Sequence, residues 1–214
     1  ARFRGALFMQ KGNYGAVFGK IPMKIPTIDD LKLPAVLKEI ASNKQGLVLV
    51  TGPTGSGKST TMAAMINHIN DNFKKNIITI EDPIEFVHTD NKSIINQREI
   101  GMDTNTFATA LKSAMRQDPD VILVGEMRDP ETISTAITSS ETGHLVISTL
   151  HTNDTKQTID RIVDSFPPEQ QAQIRFQLSL FLIAVVAQRL VKRKDGDGMV
   201  AAIEIMVNTP LIRS

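Results

Sequence analysis

Leu47–Thr51 reads LVLVT and runs directly into GPTGSGKS at Gly52–Ser59. A short, uniformly apolar run suits a strand buried on both faces of a parallel sheet. The eight residues after it fit G-x-x-x-x-G-K-[ST], and a helical pattern follows from Ser59, the strand–loop–helix context that such a phosphate-binding loop requires. Glycines let backbone N–H groups curl around phosphate oxygens, and the helix N-terminus adds partial positive charge. Pro53, Thr54, Gly55, Ser56, Gly57, Lys58, Ser59 and Thr60 are therefore expected to cradle the phosphates of ATP. Lys58 would reach the β- and γ-phosphates, and the Ser59 hydroxyl would ligate Mg²⁺.

Outward from this segment, apolar runs at Leu47–Thr51, Ile77–Glu81, Val121–Gly125 and Leu145–Thr149 alternate with helical patterns at Ser59–Asn72, Thr106–Arg116 and Pro130–Thr142. Such alternation predicts a doubly wound α/β architecture. Further helices are expected at Thr155–Ser165 and Pro168–Arg189, then a strand at Met199–Val207. Towards the N-terminus, alternating runs at Phe3–Phe8 and Tyr14–Phe18 flank Gln10-Lys11-Gly12-Asn13 and predict a β-hairpin. The Pro-punctuated Ile21–Thr27 reads as a linker, with Thr27 or Asp29 capping a helix that ends near Ser42.

Lys+Arg number 24 against Asp+Glu 23, so no global field draws the chain to nucleic acid or acidic lipid. There is no Cys, which excludes disulfides and cysteine-ligated zinc. The longest apolar run, Leu180–Ala187, is far short of the roughly 20 residues of a membrane span, and the chain is expected to be soluble. Neither end has the character of a natural terminus, which predicts a piece of something longer.

Two acidic clusters end apolar runs. Asp118–Glu126 delivers Glu126 beside the phosphate loop, where it would hold Mg²⁺ directly or through water. Glu81-Asp82-Pro83-Ile84-Glu85 places three carboxylates within five residues, enough to serve a metal and order a water for in-line attack. Asp82 is a further metal candidate. His144 and His151 bracket the run Leu145–Thr149 and are candidates for sensing the γ-phosphate, although seven residues apart they cannot both face one ligand. Arg98, Arg116 and Arg128 are candidates for stabilising phosphoryl-transfer charge, including from a neighbouring subunit.

GPTGSGKST at Gly52–Thr60, ITIEDPIE at Ile78–Glu85, NQRE at Asn96–Glu99, DPDVILVGEMRD at Asp118–Asp129 and ETGHLVISTLH at Glu141–His151 together resemble the secretion-ATPase superfamily. In detail they resemble its type IV pilus retraction ATPases (PilT/PilU-like). The resemblance implies a RecA-like P-loop core with a mainly parallel sheet, working as a homo-hexameric ring on the cytoplasmic side of the inner membrane. It implies contact with a membrane platform protein and paralogous pilus ATPases, and neither nucleic acid nor zinc. Residues 1–22 would be the tail of a small N-terminal domain, 23–45 a linker and helix, and 46–214 an ATPase domain whose C-terminal region continues further. Glu85 would match the glutamate that positions the water, Glu126 the magnesium-binding glutamate, and His144 and His151 the histidine box.

One departure concerns Phe18-Gly19-Lys20-Ile21-Pro22, where the family usually places an arginine at the position of Gly19. Arg2, Arg4 or Lys20 are candidates to replace it. Gly19, and the C-terminal stretches from Gln188 and Glu204, lean towards a weakly catalytic accessory subunit. A DNA-handling RecA-like ATPase is the other alternative, against which stand one Tyr, no Trp and no basic-plus-aromatic stretch.

Overall fold

The computed structural model describes residues 2–21 and 24–213, without the side chains of Arg2, Arg4, Leu211 and Arg213. The N-terminal hairpin forms as expected: β1 (Arg2–Gln10) and β2 (Asn13–Ile21) pair antiparallel as a separate two-stranded sheet. Its turn residues Lys11 and Gly12 both take positive φ, which matches the right-handed twist of a two-residue hairpin. Gly19 has no positive φ and no atom within 4 Å of a Cβ built on it, so nothing among the described residues demands a glycine there.

The main sheet has seven strands: β3 (Gly46–Thr51), β4 (Asn76–Glu81), β5 (Ile94–Glu99), β6 (Val121–Val124), β7 (Leu145–Leu150), β8 (Leu182–Lys192) and β9 (Met199–Val207). Their order is β5-β4-β6-β7-β3-β8-β9, parallel throughout except for β9. Alternate residues of each strand enter two different cores, the period of two that pleating imposes. Leu47, Leu49, Ile78, Ile122 and Val146 join α3 (Phe107–Ala114), α4 (Pro130–Glu141), α5 (Thr155–Val163) and α6 (Pro168–Phe181) on one face. Val48, Val50, Ile77, Leu123 and Ile147 meet α1 (Val36–Ala41) and α2 (Lys58–Asn72) on the other. A last short helix, α7 (Pro210–Arg213), follows β9.

Two expected helices are corrected. The segment from Thr27 forms a turn in which Thr27 and Asp30 bond each other reciprocally at 3.0 Å, and Lys32 takes positive φ. Helix begins only at Val36, because Pro34 disfavours helical geometry at Leu33. Ile28, Leu33, Leu37 and Ile40 nevertheless belong to the core beneath α2. The expected helix Pro168–Arg189 ends at Phe181, and the chain enters β8 with no Gly or Pro between. Ala184, Val185 and Val186 are fully buried between β3 and β9, where β-branched side chains fit a pleated surface better than a helix. The edge strand β5, unassigned in the sequence apart from its NQRE motif, is the other addition.

Leu49 sits at the centre of β3 with no exposed surface. Leu49→Ala is expected to cost about 2–5 kcal/mol of unfolding free energy, read by chemical denaturation. A loss below about 1 kcal/mol would place Leu49 outside the close-packed core.

Candidate functional site

All parallel strands end at the same edge of the sheet, and the loops there enclose a cavity of about 560 Å³. Its floor is the glycine-rich segment after β3. Gly55 and Gly57 take positive φ, which glycine adopts without steric cost. Gly57 is also the N-cap of α2, and no side chain caps that helix. The first amides of α2 therefore have no side-chain acceptor, the arrangement that suits an anion at a helix N-terminus.

Lys58 Nζ donates to Gly52 O at 2.7 Å and to Pro53 O at 3.0 Å, so it lies along the loop it belongs to. Burial pulls its ammonium below the ordinary pKa, while the fields of Glu126 and Glu85 oppose that shift. Thr54, Ser59 and Thr60 line the same cavity. The Ser56 hydroxyl is buried without a hydrogen-bond partner.

The opposite wall carries the carboxylates. Gly125 N donates to Ile80 O at 2.7 Å, Thr149 Oγ1 to Gly125 O at 2.6 Å, and Met127 N to Thr149 O at 3.2 Å. These bonds pin the turn after β6 on both sides of Glu126. Glu126 Oε2 lies 2.7 Å from Arg128 Nε and 3.5 Å from His151 Nε2. Asp82 and Glu85 come from the loop after β4 and also line the cavity. Gln97 of β5 braces that loop: its Oε1 accepts from His88 N at 2.8 Å, and its Nε2 donates to Phe86 O at 2.8 Å. Glu99 accepts from Ile84 N at 3.0 Å. Glu81 ends β4 as a mostly covered carboxyl. Burial pushes its pKa up, although Thr79 Oγ1 and Gln97 Nε2 donate to it at 2.6 and 3.1 Å.

The cavity thus gathers Lys58, Ser59, Asp82, Glu85, Glu126, Arg128 and His151. Three other candidates lie elsewhere. His144 precedes β7 at the far edge of the sheet, with Nδ1 2.9 Å from Ser139 O. Arg116 stands before β6 at that same far edge, and Arg98 donates to Asp103 O at 2.9 Å. The side chains of Arg2 and Arg4 lie outside the described residues. His88, Gln97 and Gln188 were not singled out in the sequence. Gln97 lies within the NQRE motif and Gln188 opens the stretch Gln188–Val191, but neither pattern marks the residue as part of a site. Among the described residues no group of three or more His, Asp or Glu side chains forms a metal cage. A divalent cation here would complete its shell with phosphate oxygens and water, as Mg²⁺ commonly does.

A phosphate loop on a strand separated by β7 from the acidic strand β6, within a mainly parallel sheet, defines a RecA-like P-loop nucleoside-triphosphatase fold. The profile described as "Type II/IV secretion system protein" matches residues 28–207, and the chain belongs to that family. It is 55% identical over 214 residues to the type IV pilus retraction ATPase PilT of Pseudomonas aeruginosa, covering 100% of this chain and 62% of the relative. It is 49% identical over 210 residues to the type IV pilus ATPase PilU of the same organism, covering 98% and 55%. The crystal structure of the pilus retraction motor PilT with bound ADP superposes with a TM-score of 0.96 at 53% identity, over 99% of this chain and 61% of that one. The chain therefore spans less than two thirds of these relatives. No helix among the described residues is long and apolar enough to cross a membrane.

His88 lines the cavity with a buried, unpartnered Nδ1, and burial lowers its pKa from 6.5 to about 4. Between those values the unfolded chain binds a proton that the folded chain resists, so stability falls as pH drops through that window. The loss is expected to be on the order of 1–3 kcal/mol. His88→Gln should flatten the pH dependence of Tm between about 6.5 and 4. An unchanged slope would assign the acid sensitivity to other groups.

Proposed function

We propose that this chain is the ATP-hydrolysing core of a type IV pilus retraction motor. The observation that carries this reading is the single cavity holding an uncapped helix N-terminus, Lys58, Glu85 and Glu126. Those groups match the needs of phosphoryl transfer: donors for the phosphates and a carboxylate for the attacking water. The adenosine end of the nucleotide fits the adjoining cavity of about 680 Å³, which shares Gly57, Thr60 and Leu190 with the first and is walled by Leu31 and Leu33.

In this reading Lys58 leaves the carbonyls of Gly52 and Pro53 and turns to the β- and γ-phosphates. Glu85 orients the water and accepts its proton, while the Glu81 carboxyl is engaged by Thr79 and Gln97. Ser59 and Glu126, with Asp82 as a further ligand, would hold Mg²⁺, which neutralises charge on the phosphate oxygens. His151 and Arg128, both beside Glu126, respond to its change of partner. Arg98 and Arg116, outside the cavity, and Arg2 and Arg4 are candidates to act on a neighbour's site in a homo-hexameric ring. Residues 1–22 are assigned to a separate N-terminal domain, 23–45 to a linker and helix, and 46–214 to the ATPase domain. The ring would work in the cytoplasm at the inner membrane, with a platform protein and paralogous ATPases as partners. The higher identity to PilT than to PilU supports a retraction motor over an accessory subunit. Gly19 supports the accessory reading, because no atom of the described residues stands within 4 Å of the place a Cβ would take there.

Lys58→Ala is expected to abolish ATP turnover with its melting temperature little changed, measured by phosphate release and thermal denaturation. Wild-type turnover in that variant would overturn the site. Glu85→Gln should keep Mg·ATP binding and lose hydrolysis by roughly 10²–10⁴-fold. Glu126→Gln should in addition raise the Mg²⁺ concentration needed for half-maximal turnover. Equal Mg²⁺ dependence in the two variants would merge the roles of the carboxylates.

A further inference from the structure

Gln188 lies on β8, next to the phosphate-loop strand, and is 3% exposed. Its Nε2 donates to Ser56 O at 2.7 Å, and its Oε1 accepts from Thr61 Oγ1 at 2.7 Å. One buried amide thus ties the crown of the loop to the first turn of α2. We infer that Gln188 is a positioning residue for nucleotide binding, a strut that fixes the orientation of the Ser56–Gly57 peptide. The inference rests on the ATP-binding reading above.

The trans peptide is planar, so the Ser56 carbonyl and the Gly57 N–H point in opposite directions. Holding the carbonyl against β8 turns the amide away from β8. Lys58 plays the matching part earlier in the loop by occupying the carbonyls of Gly52 and Pro53. With its carbonyls held, the loop presents N–H groups to an anion before one arrives. Although Lys58 then turns to the phosphates, the amides that Gln188 holds in place need no rearrangement on binding. The fit leaves no slack: a Cβ on Gly57 would stand 2.7 Å from Gln188 Nε2, and one on Gly52 would collide with the Gln188 backbone carbonyl. A buried amide with both ends bonded is also unlike a filler side chain, for which an apolar residue would serve.

The test uses mant-ADP with Mg²⁺ as the probe, titrated by fluorescence, with Tm measured in the absence of nucleotide. Gln188→Leu and Gln188→Glu should each weaken binding by roughly tenfold or more at about pH 8, since Ser56 O loses its donor. In the glutamate variant a protonated carboxyl can donate again, and burial beside a carbonyl raises its pKa. Its deficit relative to wild type should therefore narrow towards about pH 5.5, while that of Gln188→Leu stays constant. The charged groups facing this position are Lys58 of α2, Asp30 and Lys32 of the turn before α1, Lys192 further along β8, and the Arg193–Asp195 turn. Wild type titrated at each pH removes their contribution. Should Gln188→Glu fail to fold, Thr61→Val, which frees the amide to rotate from Ser56, carries the same expectation of weaker binding. Unchanged affinity in the variants, or a deficit in Gln188→Glu that follows Tm and ignores pH, would overturn the strut. A wild-type chain that binds no mant-ADP would overturn the nucleotide reading itself, and this inference with it.

Discussion

Strand β3 is bonded on both edges, by β7 and β8, and covered on both faces by helices. Every side chain from Leu47 to Val50 is essentially without solvent exposure. A strand so enclosed cannot shift register without moving its whole apolar set, so its C-terminal end is held fixed relative to the sheet. The glycine-rich loop begins at that end. Its freedom is spent on curling, and the rigid neighbours supply what glycine lacks: Lys58 and Gln188 occupy its carbonyls from two sides. Flexible residues in a rigid frame make a shaped cradle.

The same logic explains which parts of the fold were legible in the sequence. Runs such as Ile77–Glu81 and Leu145–Thr149 are short, apolar and flanked by polar loops, and they became strands. The helices at Thr106–Arg116 and Pro130–Thr142 follow from their patterns, and folding adds the side-chain caps Thr106 at α3 and Asp129 at α4. The cap expected at Thr27 or Asp29 closes a turn and not a helix. The failure at Pro168–Arg189 has a physical source. A helix and a strand joined at Phe181–Leu182 without a turn residue give one continuous apolar stretch, and periodicity alone does not divide it. Only the vacant place beside β3, a tertiary fact, makes Leu182–Lys192 extended. Strand β5 was hidden for a different reason: Asn96–Glu99 is polar, and two of its residues, Gln97 and Glu99, brace the loop after β4.

The candidate site was legible to the extent that its residues sit at strand ends. Glu126 and Glu85 follow β6 and β4, and parallel topology brings such ends together. His144 and His151 flank one strand, and of its two ends only the one that leads to His151 faces the cavity. Gln188 is separated from Ser56 by 132 positions, and its bond depends on a strand that was read as helix. No local pattern marks a partner at that range. His88 escaped notice because its property, a ring nitrogen buried without a partner, arises only once the loop folds over it.

The strand order also acts as a ruler. Neighbouring strands lie about 4.8 Å apart, so β6, two places from β3, stands roughly 10 Å away, and β4, three places away, roughly 14 Å. Glu126 can reach inward from a turn directly beyond its strand. Glu85 cannot, and it stands instead on a loop that folds back over the gap, held there by Gln97 and Glu99. The width between the two walls is thus set by backbone ladders. Side-chain substitutions can lengthen or shorten the reach across it, but the span itself is fixed before any ligand enters.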